Sequence, residues 1–272
     1  KAFLAAVKDP ESYALMLKAS ESGILSAKAL KGIQSQITEL AYRQEMECDF
    51  SVGRPGAVYA TLLDALRVAG RILDFPWDRS EQVFTFWDLG SPKNTRCIYV
   101  QFVGREIHVI DHDDGSEEMT PATRAAHMLS KGYPYGGHFM PHDAAAQEKG
   151  GKNFKEQMEH AGLQGIRIIP RCRTEWPGVN KAHEIMPRCL FHESNTLALV
   201  DSLENYHVKE DNKDGALTNR LVDDWSAHDS DAFRMLAEAM LNGMLKGHSE
   251  VVRETRPDRQ KQKRASAGRY RR

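Results

Sequence analysis

Residues 83–90 read VFTFWDLG, an aromatic and β-branched run closed by one acidic residue, Asp88, two positions before Gly90. An unbroken apolar run of this length fits a strand buried on both faces. A carboxylate at its end would stand where the dielectric is low and an isolated charge is costly. Two readings of Asp88 follow. It can close the strand and open a turn before Gly90, or it can belong to a group whose other members lie elsewhere in the chain. Whether the remaining sequence offers such partners decides between them.

Around this run, strands alternate with helices. Residues 83–89, 96–103 and 106–111 are apolar runs separated only by turn material, GSPKN and then Gly104-Arg105, and they predict an antiparallel meander. A helix follows over 120–130, then a short strand over 137–143 ending in a second acidic residue, a helix over 153–161 and a strand over 165–170. Helices over 179–186 and 195–206 flank a brief extended piece at 189–191. Residues 207–227 read as a hairpin or loop, and 230–245 as a strongly apolar helix. This order describes an α/β chain with an RNase H-like mixed sheet, an antiparallel three-strand meander plus parallel strands, flanked by helices.

Upstream, apolar positions such as Leu25, Leu30, Ile33, Ile37 and Leu40 predict one or two amphipathic helices; GRPG at 53–56 breaks them and a short helix resumes over 59–72. The expected organisation is a helical segment over 1–79, the sheet domain over 80–248 and a basic tail over 249–272, expected to be disordered. The net charge of −1 conceals that tail: residues 251–272 carry nine Lys or Arg against Glu254 and Asp258, an excess of +7 that leaves the rest at −8. Such a segment suits phosphates or an acidic protein surface, or simply keeps the chain solvated.

With 272 residues, 41% of them hydrophobic, the chain can bury a sizeable core. No run reaches the roughly 18 apolar residues of a membrane span, and the start lacks the pattern of a secretory signal. Starting at Lys1, it reads as a piece of a longer protein. The widely spaced Cys48, Cys97, Cys172 and Cys189 argue against a disulfide framework and for a reducing cytoplasm. No phosphate-loop or dinucleotide-binding signature is present.

Three acids fall at element ends that such a sheet would gather: Asp88 after the first strand, Asp143 after the fourth, and Asp231 at the start of the last helix. Carboxylates brought that close repel one another unless cations sit between them, so the set implies a metal site. All-oxygen ligation favours Mg²⁺ or Mn²⁺, and two such ions can promote in-line hydrolysis of a phosphodiester. The alternative for Asp143, Asp229 and Asp231 is helix capping; here Asp229 reads as the cap and Asp231 as the ligand. His228 and His142 can each be an outer partner or a ligand, His228 being the stronger candidate, and a histidine ligand would tilt the preference toward Mn²⁺. Asp111, Asp113 and Asp114 read as a solvated turn. Cys172, His183, Cys189 and His192 match no common zinc spacing.

With these residues in view, the sequence resembles the C-terminal part of a large terminase subunit of a tailed bacteriophage or prophage. YRQEMECDF (42–50) and PGAVYATLLDALRVAGRI (55–72) are similar to the linker after the packaging ATPase. FTFWDLG (84–90), GREIHVIDH (104–112), YGGHFMPHDA (135–144), MPRCLF (186–191) and DWSAHDSDAFRMLA (224–237) are similar to successive motifs of its nuclease domain. The resemblance puts the family's three catalytic, metal-holding aspartates on Asp88, Asp143 and Asp231. It implies two divalent ions, double-stranded DNA as substrate, portal protein and small terminase subunit as partners of the full-length protein, no membrane, and the host bacterial cytoplasm as the setting. The turn after the first strand departs from the pattern, carrying Pro92, Lys93 and Asn94 where relatives often have another acid.

The expectation is therefore a Mg²⁺- or Mn²⁺-dependent endonuclease cutting concatemeric viral DNA during packaging, with little sequence preference. Lys93, Lys149, Lys152 and Arg264 are candidates for phosphate contacts or ordinary surface charges. The rivals are a transposase- or resolvase-like nuclease on the same fold, and a non-catalytic DNA- or portal-docking module of the packaging motor.

Overall fold

The computed structural model describes residues 13, 15–36, 42, 45–48, 56–115, 119–146, 151–211 and 216–245. The chain divides into two compact units, Lys1–Ala69 with Val200–Ala227, and Gly70–Leu199 with His228–Arg272. Elements are numbered along the chain.

The first unit contains α1 (Ala19–Ser22), α2 (Ala27–Gln34), α3 (Ala60–Val68) and a two-stranded hairpin, β8 (Val208–Glu210) with β9 (Leu217–Leu221). Ser26 caps α2, its hydroxyl accepting from the Ala29 amide. Residues 57–67 are held to residues 204–207. The Val58 amide donates to the Tyr206 carbonyl at 2.8 Å, the Tyr59 and Tyr206 rings stack at 6.1 Å, and Arg67 forks onto Glu204 at 2.8 and 2.7 Å.

The second unit is built on seven strands: β1 (Ile72–Leu73), β2 (Val83–Asp88), β3 (Arg96–Val103), β4 (Glu106–Asp113), β5 (Tyr135–Met140), β6 (Ile166–Ile168) and β7 (Cys189–His192). Their order across the mixed sheet is β1-β7-β4-β3-β2-β5-β6. β2, β3 and β4 form the expected antiparallel meander, and β5, β6, β7 and β1 join in parallel. Four helices accompany the sheet: α4 (Pro121–Ser130), α5 (Phe154–His160), α6 (Trp176–Ile185) and α8 (Ala227–Leu241), while α7 (Leu197–Asn205) carries the chain from the second unit's residues to the first's.

Several expectations change. The piece at 189–191 is not a connector between helices but β7, an interior strand that pairs with both β4 and β1. Its partner Ile72–Leu73 brings the sheet upstream of residue 80. β2 is interior, but β3 holds the middle of the sheet. β4 runs on to Asp113, so 111–113 are not a solvated turn: Asp111 accepts from Lys131 Nζ at 2.7 Å and from the Tyr133 hydroxyl, and buried Asp113 pairs with buried Arg124. The apolar pattern gave no hint of these cations because they come from α4 and the turn after it.

Register fixes which side chains share a face. Val83, Trp87, Cys97, Tyr99, Ile110 and Met140 pack with Ala125 and Met128 of α4 and Met158 of α5. On the opposite face, Phe84, Val100, Val109 and Phe191 are aligned through successive pairs, and Phe233 of α8 meets Phe191 at 6.0 Å. Strand side chains alternate, so Asp88, four residues after Phe84, projects to the face on which α8 lies.

Candidate functional site

Three features of the sheet bring the acids together. β2 and β5 are parallel neighbours with Phe86 opposite Phe139, so their C-terminal ends reach the same edge. Asp88 ends β2, and the chain leaving β5 turns at once into a 3-10 helix, His142–Ala145, that carries Asp143. This corrects one expectation: Asp143 does not end a strand, because Pro141 has no amide to continue the ladder. The third feature is α8, whose first turn crosses this edge.

Its residues divide their contacts by helical position. His228 Nδ1 donates to Asp88 Oδ2 at 3.2 Å. Three residues on, and so on the same side of the helix, Asp231 lies close enough for the Asp88 charge to raise its pKa. Asp229 points elsewhere. It is buried and holds His112 Nε2 at 2.8 Å and Arg96 Nε at 2.9 Å, the second a charge contact without good hydrogen-bond alignment. Arg96 and His112 stand on the same sheet face as Asp88, since Arg96 is opposite Asp88, and His112 and Phe86 are both opposite Ile98. The expected cap at Asp229 is thus an internal ion pair that pins the helix start to the strands. Sequence spacing could not reveal this, because its partners lie more than a hundred residues upstream.

The electrostatics follow from burial. Desolvation raises the Asp88 pKa above the usual carboxylate value; His228 and Arg234 oppose the shift, and the charge of Asp143 adds to it. Desolvation also pushes Asp231 up to about 6, helped by the Asp88 charge and resisted by Arg234, whose Nε and Nη2 lie 3.1 and 3.0 Å from Oδ1. The hydrogen bond to Asp88 raises the His228 pKa. Asp143 is solvent-facing, its side chain 56% exposed, and pairs with His142 at 2.9 Å.

Among the described residues no three His, Cys, Asp or Glu side chains converge tightly enough to hold an ion as they stand. The donor chemistry of the partly buried pair nevertheless fits a hard divalent cation. Asp88 and Asp231 are oxygen donors whose ionisation is opposed by burial, and a cation between them would relieve that. Lys93 and Lys152 are exposed; Lys149 and Arg264 lie outside the described residues. Cys189 is buried, its thiol donating to the Ile185 carbonyl at 3.6 Å, and His192 pairs with Asp74 at 3.2 Å. Two residues that reading the sequence missed belong to the surroundings of the site, Arg234 and Glu238. Their spacing from Asp231, three and seven positions, is the signal that could have found them.

The structure shares its fold with the large terminase of a thermophilic bacteriophage. The match has a TM-score of 0.52 at 14% identity over 88% of this chain and 58% of that one, with the same figures for that protein in complex with ADP. The chain thus spans about 58% of the length of the protein it matches. The nuclease domain of the P22 large terminase aligns with a TM-score of 0.48 at 17% identity, over 63% of this chain and 89% of that one. No protein-family model and no curated protein matches the sequence.

Proposed function

We propose that this chain is a divalent-metal-dependent endonuclease of the large-terminase type, cutting concatemeric double-stranded viral DNA as it is packaged. The observation that carries this reading is the meeting of Asp88 at the end of β2 with His228 and Asp231 of α8, beside the turn bearing Asp143. The terminase fold supports it independently.

Asp88, Asp231 and Asp143 would hold two Mg²⁺ or Mn²⁺ ions, which supply Lewis-acid activation of a water and stabilisation of the departing 3′-oxygen. His228 keeps Asp88 oriented through Oδ2, leaving its other oxygen for a ligand. The Arg96 ion pair and the His112 hydrogen bond of Asp229 hold the first turn of α8 against β3 and β4, so that Asp231 keeps its place relative to Asp88. Exposed Asp143 completes the set from the solvent side, where a phosphodiester can enter. Lys93 and Lys152 are proposed phosphate contacts. Portal protein and small terminase subunit are proposed partners, and the host cytoplasm the proposed setting.

The test is nicking of supercoiled plasmid with Mg²⁺ or Mn²⁺. The Asp88→Asn variant, nearly isosteric, is expected to cut at least about 100-fold more slowly. Undiminished cutting by the variant overturns the site. A wild type that fails to cut favours a docking module, and cutting confined to particular ends or branched DNA favours a strand-transfer enzyme.

A further inference from the structure

We propose that Arg234 is the positioning residue for Asp231, a guanidinium clamp that presents this carboxylate to a divalent cation, with Glu238 as its counter-ion. The inference rests on the metal-dependent reading above and adds to it how the third carboxylate is kept in place. Arg234 lies between two acids of its own helix. Its Nε and Nη2 are 3.1 and 3.0 Å from Asp231 Oδ1, and its Nη1 donates to Glu238 Oε1. The guanidinium is planar and presents its donors in a fixed fork, so one group can hold both carboxylates. Both contacts to Asp231, the hydrogen bond from Nε and the charge contact of Nη2, fall on Oδ1, which leaves Oδ2 for a metal.

The charges agree with that task. One cation shared by two carboxylates leaves the trio at −1, so Glu238 offsets the charge with which Arg234 alone would discourage a metal ion. Glu238 is 2% exposed, a position at which a carboxylate is costly unless it is paired. A solvent-exposed pair at these spacings would hold its partners only loosely. This one is enclosed. A Cβ at Gly178 of α6 would stand 2.7 Å from Arg234 Cγ and 2.9 Å from Glu238 Cγ and Oε1, so glycine there lets α6 close over the clamp. Hydrogen-bonded partners of ligating carboxylates set metal affinity in this way.

Mn²⁺ binding to the full chain, measured by titration calorimetry, tests the proposal with the wild type, Arg234→Lys and Glu238→Gln, each checked by thermal melting. Lysine keeps the charge but lacks the fork; glutamine keeps the shape but takes the trio from −1 to neutral. Both variants are expected to stay folded and to bind Mn²⁺ about 10- to 100-fold more weakly. Wild-type affinity in both folded variants overturns the clamp while leaving the metal site standing. If the wild type takes up no Mn²⁺, the metal reading fails and the clamp with it. Should neither variant fold, the trio is a folding element and the positioning role is overturned.

Discussion

Asp88 meets the first turn of α8 and Asp229 belongs to it, yet burial treats them differently. Asp229 is matched by Arg96 and His112, whereas Asp88 has a histidine, a neighbouring aspartate and an edge open to solvent. A matched buried charge is structural, and an incompletely matched one invites a ligand. His138 shows the other way a titratable group can be accommodated. It is buried opposite Thr85 in the β2–β5 pair, with its Nδ1 2.7 Å from the Thr85 hydroxyl, which in turn accepts from Trp87 Nε1 at 2.8 Å. Desolvation pushes the His138 pKa down to about 4. Between about pH 6.5 and pH 4 the unfolded chain binds a proton that the folded chain refuses, so this contribution is complete above pH 6.5 and is lost as the pH falls. The loss should be on the order of 3 kcal/mol across the window. Urea midpoints at pH 7, 5.5 and 4.5 should fall less in His138→Gln than in the wild type. Asp231 works in the opposite sense, so the difference between the two proteins is the quantity to read.

Among the elements, the junction of β2 with β5 decides whether a site exists at all. Val83 pairs with Tyr135, but Phe84 pairs with Gly137, so Gly136 is the extra residue of a bulge. A Cβ at Gly136 would lie 2.6 Å from the Phe84 ring, which is buried against Phe102 and Phe139 and has nowhere to go. The bulge sets the register that places Phe86 opposite Phe139 and brings the turn with Asp143 level with Asp88. Gly136→Ala should therefore cost about 1–3 kcal/mol by overpacking, seen as a lowered denaturation midpoint. Plasmid cutting at temperatures where the variant is still folded should fall as well, because the register of the site shifts. The meander of β2, β3 and β4 was legible from apolar runs separated by short turns. β7 was not: four residues between helices give too short a pattern, and its place in the sheet depends on pairing with a strand some eighty residues earlier.

For the whole molecule, charge is the property that bears on DNA. The described residues include no helix long and apolar enough to cross a membrane. The nine basic residues of 251–272 stand against a chain that is otherwise net acidic, so phosphate contact should concentrate in that segment and in the candidate lysines. Affinity for duplex DNA should fall steeply with salt, with a log–log slope near −0.9 per phosphate neutralised. Removing residues 251–272 should make that slope shallower while Mn²⁺ binding stays unchanged; an identical slope would remove the tail from the DNA interface. The mixed sheet with its meander, and Asp88, Asp143 and Asp231 as candidates, were readable from the order of elements and the residues at their ends, because hydrophobic periodicity and strand termini are local properties of a chain. Which aspartate of α8 meets Asp88, which is consumed by Arg96 and His112, and that Arg234 and Glu238 enclose Asp231, depended on helix rotation over the sheet. That rotation is set by contacts such as Phe191 with Phe233 and Gly178 with Arg234, between residues far apart in sequence, and so only the tertiary structure could decide it.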